Sequence, residues 1–315
     1  MLLEHRRDSW GKMGIIVVMI ALAALPLVYG GNGRRGQGAG TPPADAPKAP
    51  KPPVAPEVQL DRYWQNAKRE VDKSVLELLA QHRDELERGI RYDKFMQGDF
   101  GKKQVAITFD DGPHPGYTPK LLAILKQYNA NATFFLVGEM AEKYPALVKA
   151  EIAAGHAIGN HTYHHVNLTR VPIEDAATEI EACGDVLKGI THERTFLFRP
   201  PGGDYNRWVA EAVEALNYTM VLWTDDPGDY SSPGGKVIEA RLLDRIGNGG
   251  IVLIHDGVQQ TVDVLPQILQ RLKDRGFEFV TIPQMMAPRS PDPLERKPSR
   301  GSADGGPRPG RFGPG

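Results

Sequence analysis

Cysteine is almost missing from this chain: Cys183 is the single one among 315 residues, which excludes an internal disulfide. It falls in a helical pattern and reads as a small buried hydrophobe. Excess charge is missing too. Lys and Arg number 38 against 39 Asp and Glu, so the net charge of -1 offers no field for nucleic acid or another polyanion. No glycine-rich nucleotide fingerprint occurs. Long hydrophobic runs are scarce outside the N-terminus, and 41% hydrophobic with 24% charged residues is the composition of an ordinary globular protein. The length allows one catalytic-size domain with extensions.

The one long apolar run is "MGIIVVMIALAALPLVYG", inside a stretch from Met13 to Gly33 that carries no charge, preceded by Arg6, Arg7 and Lys12. Such a run crosses a bilayer once with its basic end in the cytoplasm. It also fits a signal peptide, with small residues such as Ala21, Ala23 and Gly30 offering a processing site. Either reading exports the rest of the chain, as a membrane-anchored or as a secreted or periplasmic protein. Residues 34–57 are rich in Gly, Pro and Ala and read as a tether. Residues 288–315 are poor in hydrophobes and read as a disordered tail.

Residues 58–102 are expected to form a helical extension. Within it Leu60, Tyr63, Ala67, Val71, Val75, Leu78, Leu86 and Ile90 mark one apolar stripe. From 103 to 287 the pattern alternates strand and helix. Seven β-rich runs ("VAITF", "ATFFLVG", "HAIGN", "TFLFRP", "TMVLWT", "GIVLIH", "FEFVTI") are separated by helical segments, two of which start after Pro172 and near Thr261 with a proline near the start of each. Repeated β-α units predict a parallel sheet with helices outside, either a closed or nearly closed barrel or a doubly wound open sheet. In both, function gathers at the carboxyl ends of the strands. Asp110 and Asp111, His161 and His165, Arg199, Asp226 and Asp229, and His255 all stand there, on five different strands.

Two adjacent like charges at one strand end repel unless a cation neutralises one of them. His161 and His165, four residues apart in "HTYHH", complete with one of the aspartates a His2Asp set suited to Zn²⁺ or another divalent first-row metal. Asp111 is assigned to the metal and Asp110 to proton removal. Such a set also serves non-haem iron oxygenases, where the second aspartate and the remote histidine have no task.

"TFDDGP", "HTYHH", "RPPGG", "DPGDY" and "LIH" follow the order and spacing of the five motifs of the NodB-homology polysaccharide deacetylases, carbohydrate esterase family 4, which residues 104–285 resemble. The resemblance implies a distorted (β/α) barrel and metal-dependent removal of acetyl groups from polysaccharides. The family's substrates are peptidoglycan, chitin oligomers, poly-N-acetylglucosamine and acetylated xylan. The metal is expected to be Zn²⁺, with Co²⁺, Ni²⁺ or Mn²⁺ as substitutes. By position, Asp110 corresponds to the catalytic base, Arg199 to the arginine that orients it, His255 to the general acid and Asp229 to its carboxylate partner. Asp111, His161 and His165 correspond to the metal ligands. Pro201 and Gly202 belong to the wall of the site, while Leu253 with Trp223 or Tyr230 would line the acetyl pocket. Two departures stand out: Gly202 replaces an aromatic residue that many relatives carry, and Tyr230 stands where Trp is frequent. The implied function is an exported deacetylase of an N-acetylglucosamine polymer such as peptidoglycan. An O-acetyl esterase and a non-catalytic sugar-binding domain are the alternatives.

Overall fold

The computed structural model describes residues 71–287. The apolar N-terminal run, the tether and the tail, with Leu60, Tyr63 and Ala67, lie outside them. Among the described residues, no helix is long and apolar enough to cross a membrane.

All seven β-rich runs form strands: β2 (Gln104–Gly112), β3 (Ala132–Leu136), β4 (Ala157–Asn160), β5 (Leu197–Phe198), β6 (Thr219–Val221), β7 (Gly250–His255) and β8 (Glu278–Phe279). An eighth, β1 (Lys94–Phe95), precedes them. The helices are α1 (Val75–Glu87), α2 (Thr118–Tyr128), α3 (Gly138–Lys143), α4 (Pro145–Ala153), α5 (Ile173–Thr191), α6 (Arg207–Ala215), α7 (Gly235–Arg245), α8 (Gln259–Asp274) and α9 (Ile282–Met286).

The strands are all parallel in the order β1-β6-β5-β4-β3-β2-β7, with β8 paired to the start of β2. Past β6 the chain bends over to β7. Thr224 and Asp225 donate their N–H groups to Ile251 O at 3.0 and 3.1 Å, and Leu253 N–H donates to Asp225 O at 2.8 Å. This seam, marked by the bridge Asp225↔Val252, joins the two sides of the sheet into a distorted barrel.

Side-chain alternation divides the core between the two faces of the barrel wall. Val105, Ile107 and Phe109 of β2 pack with Val252 and Ile254 of β7 beneath the outer helices, through Leu121 and Leu125 of α2, Leu187 of α5 and Leu265 to Leu272 of α8. Ala106 of β2 and Ile251 and Leu253 of β7 face the other way, toward Phe135, Met220 and Trp223. Cys183 is buried in the outer layer, as its helical pattern indicates. α5 starts after Pro172 as expected, but Pro266 lies inside α8 rather than in its first turn.

The extension differs from its uniformly helical reading. Among the described residues of the extension, 71–102, helix α1 covers Val75–Glu87, and residues 94–95 pair with Met220 and Val221 of β6. Leu78 is its deeply buried apolar residue, whereas Val71 and Leu86 are exposed. Val75, Tyr92, Phe95 and Met96 pack against the same core cluster as Leu78, and paired charges add to the docking. Buried Glu85 of α1 pairs with Lys94, whose Nζ also donates to Tyr205 Oη at 2.8 Å, and Gln81 Nε2 donates to Tyr205 O at 3.2 Å. An apolar stripe alone would not distinguish this docked helix from a free stalk. The Glu85–Lys94 ion pair and the hydrogen bonds to Tyr205 decide it.

Candidate active site

A strand sends successive side chains to opposite faces, so Asp110 and Asp111 ought to diverge. A bulge prevents that. β2 and β3 pair at Phe109↔Phe134 and next at Gly112↔Leu136, three residues against two, and Asp111 takes a left-handed φ of 73°. A bulge of this kind re-aims side chains at a strand end, at the cost of local backbone strain. Asp110 keeps the inward face of Ala106 and Thr108, directly beside His255 in the β2–β7 register. Asp111 is turned toward the loop after β4.

That loop carries the two histidines. It is not a helical turn; Thr162 and His165 are left-handed, with φ of 65° and 57°, and the imidazole centroids lie 4.9 Å apart. Asp111 Oδ1 is buried 3.5 Å from His161 Nε2 and 3.1 Å from His165 Nε2, and meets no donor in hydrogen-bonding geometry. Burial alone would raise the Asp111 carboxyl, but His165 and His161 hold it well below the ordinary range. The ligand atoms of Asp111, His161 and His165 all lie within 4.8 Å of one another. His161 Nδ1 is 2.8 Å from Arg199 O, a contact that places the ring proton on Nδ1 and leaves the Nε2 lone pair for a cation. A carboxylate oxygen without a donor, set between two imidazole nitrogens, fits a divalent metal.

Asp110 is held separately. Arg199 Nη1 donates to Asp110 Oδ1 at 2.7 Å and to Thr108 Oγ1 at 2.8 Å, while its Nε donates to Val221 O at 3.2 Å. The guanidinium is fully buried over the Phe135 ring at 4.0 Å from its centroid, and that burial lowers its pKa. An ion pair this deep survives because the two charges face each other and the guanidinium donates further hydrogen bonds to Thr108 and Val221.

His255 completes the rim. Its Nδ1 lies 2.8 Å from Asp229 Oδ1, its backbone N–H donates to Asp229 Oδ2 at 2.8 Å, and Thr261 Oγ1 donates to the same oxygen at 2.6 Å. Burial would lower the imidazolium, but Asp229, with Asp72 and Asp111, holds it well above the ordinary value. Nε2 therefore presents a proton to the cleft. Tyr230 stands edge-on to this ring, with centroids 5.8 Å apart. Leu253 lies one step below His255 on the same inward face, opposite Thr108. Trp223 is buried against Gly203, Pro201 is buried, and Gly202 has φ 66°, with Asp204 Oδ2 and Val71 O each 3.9 Å from where its Cβ would stand.

The structure thus gathers Asp110, Asp111, His161, His165, Arg199, Asp229 and His255 at one mouth of the barrel. Asp226 does something local: its Oδ1 accepts the N–H of Gly228 at 2.6 Å. His164 is held by Glu179, and His114 Nδ1 accepts from Gly116 N–H. Three residues escaped sequence reasoning. Thr108 and Thr261 act as hydrogen-bond supports, and Thr108 at least lies inside the first motif. Asp72 is the third, with its Oδ2 3.5 Å from His255 Nε2. Burial pushes its carboxyl up to about 7, against the pull of His255. Nothing in the charged extension sets this aspartate apart from its neighbours.

Comparison with known proteins agrees with this geometry. The family model described as polysaccharide deacetylase matches residues 97–221. A peptidoglycan-N-acetylglucosamine deacetylase of Bacillus cereus is 40% identical over 190 residues, covering 59% of this chain and 89% of that protein. A peptidoglycan-N-acetylmuramic acid deacetylase of Bacillus subtilis is 34% identical, over 59% of this chain and 39% of that protein. The crystal structure of a peptidoglycan N-acetylglucosamine deacetylase bound to a naphthyl N-hydroxybenzamide superposes with a TM-score of 0.60 at 36% identity, over 64% of this chain and 94% of the other. With the five motifs, the barrel and the rim in agreement, the chain belongs to the polysaccharide deacetylases, the NodB-homology hydrolases that remove acetyl groups from polysaccharides.

Proposed function

We propose that this enzyme removes N-acetyl groups from peptidoglycan at the cell envelope, with Asp110 as base and His255 as acid on either side of the scissile amide. The observation that carries the reading is the division of labour among buried carboxylates. Asp111 Oδ1 is left without a donor between two imidazoles, Asp110 is tied to Arg199, and Asp229 is tied to His255. Support for the polymer comes from the two peptidoglycan deacetylases that the chain resembles.

Amide hydrolysis needs an activated water, a place for the oxyanion and a proton for a poor leaving group. A divalent cation on Asp111, His161 and His165, with Zn²⁺ the ion best suited to that donor set, would supply Lewis-acid polarisation and a more acidic water. Asp110 takes the proton of the attacking water. Arg199 fixes the carboxylate by Oδ1 and so leaves Oδ2 for that task. His255, kept protonated by Asp229, gives its Nε2 proton to the departing nitrogen. Among the backbone N–H groups of residues 199–203, those of Arg199 and Gly203 already donate to Asn160 O and Pro200 O and the two prolines have none, so the Gly202 N–H is the one left to help hold the oxyanion. Leu253 below the rim and Tyr230 beside it form the apolar seat for the acetyl methyl, with Trp223, Pro201 and Gly202 as the adjoining wall.

Residues 103–287 then act as the catalytic domain, and the apolar run of residues 13–33 with the tether of residues 34–57 keeps it near an insoluble substrate. The experiment is acetate release from a panel of purified polymers, with metal content measured on the same preparation. Peptidoglycan is expected to be the best substrate, with turnover lost on chelation and restored by Zn²⁺. Preference for acetylated xylan would replace this reading with the O-acetyl esterase.

A further inference from the structure

Asp72 reaches the active site from outside the strand-end motifs, and its position is built rather than incidental. Ser74 caps α1 through a capping box with Glu77, and α1 is docked by Leu78 and by the Glu85–Lys94 pair. Lys73 then pins the strand of chain just before the helix. Its N–H donates to Gly202 O at 3.0 Å, and its Nζ reaches Asp204 Oδ1 at 3.1 Å and Gln81 Oε1 at 2.8 Å. Val71 O passes 3.9 Å from where a Cβ on Gly202 would stand. The glycine that replaces the family's aromatic residue thus leaves room for this strap, and the strap becomes the missing wall.

The strap holds one charged group over the reacting centre. Asp72 Oδ2 stands 3.5 Å from His255 Nε2, too far for a good hydrogen bond between them and spaced so that one further polar atom fits against both. In the reaction read above, the atom that must meet His255 Nε2 is the substrate nitrogen.

We propose that Asp72 is a specificity-determining residue: its carboxylate accepts the N–H of the substrate's acetamido group and thereby selects amides over esters. The proposal rests on the deacetylase reading of the same site. As water adds to the carbonyl, Asp110 receives the water's proton and the nitrogen becomes pyramidal. Its own N–H stays on Asp72, which turns the lone pair toward His255. The C–N bond then breaks as the proton on His255 Nε2 moves to nitrogen, giving the free amine and acetic acid from amide and water. An ester oxygen has no hydrogen to offer, and its lone pairs face the same carboxylate unfavourably. Loss of Asp72 should therefore hurt amide cleavage and spare ester cleavage.

The test uses the full chain loaded with Zn²⁺, with N-acetylated chitotetraose and 4-nitrophenyl acetate as paired substrates. Asp72→Ala is expected to lower kcat/KM for the amide about 10- to 100-fold, the range for a lost hydrogen bond to a charged group, and to leave the ester within about twofold. Asp72→Asn, which keeps an acceptor oxygen, should recover part of the loss. Lys73→Ala, which loosens the strap without touching the acceptor, should shift the amide-to-ester ratio the same way by less. In an Asp110→Asn background, equilibrium binding of chitotetraose should weaken on adding Asp72→Ala. An equal fall on both substrates would make Asp72 merely structural, and a rise on both would make the strap a plug; either overturns the proposal, as does an unchanged ratio. A parent enzyme that cleaves esters but no amide would instead sink the deacetylase reading, and this proposal with it.

Discussion

At the scale of residues, three buried carboxylates within one rim are kept apart in role by their partners. Asp111 faces two imidazoles, Asp110 faces Arg199, and Asp229 faces His255 and Thr261. Asp110→Asn keeps the shape and removes the base, so acetate release should fall about 100- to 10,000-fold with little change in melting temperature. His255→Ala should cost amide substrates far more than activated esters, because only the amine departs poorly without a proton. Comparing the two rates on one preparation checks this. Removing Arg199 is different. Arg199→Met leaves Asp110 buried and uncompensated, a change that costs on the order of 3–5 kcal/mol, read from denaturant unfolding.

At the scale of elements, β2 and α1 matter most. The bulge at the end of β2 is what lets neighbouring aspartates serve one mouth, and the left-handed Asp111 is where its strain resides. α1 is a packed part of the enzyme, not a stalk. Leu78→Ala should destabilise the fold by about 2–5 kcal/mol, as for other fully buried leucines. Ser74→Ala removes the cap side chain and should cost about 1 kcal/mol, with faster amide hydrogen exchange confined to residues 75–87 as the local signature.

For the whole molecule, the parallel sheet closes over the seam at Asp225, and stability follows pH through a buried group away from the carboxyl ends of the strands. His156 is buried against Phe134, where its Nδ1 accepts the Ala132 N–H, and desolvation lowers its pKa from 6.5 to about 4. The unfolded chain therefore takes up this proton before the folded one does. Stability from this group is complete above about pH 6.5 and declines as the pH falls toward about 4. His156→Asn, which keeps an acceptor near Nδ1, should flatten that part of the pH–stability curve, measured by urea unfolding at several pH values.

Sequence alone determined the strand-and-helix rhythm, because fully buried parallel strands must be runs of apolar residues. It also placed the reactive side chains at strand ends, where five short motifs keep their order. Only the tertiary structure decided what depends on contacts between distant segments. The bulge that brings Asp110 and Asp111 together is a mismatch of register with β3, invisible in β2 by itself. The pairing of Glu85 with Lys94, the short strand β1 and the reach of Asp72 to His255 likewise arise from docking. No periodicity within one segment encodes them, since the partner of each lies on another element.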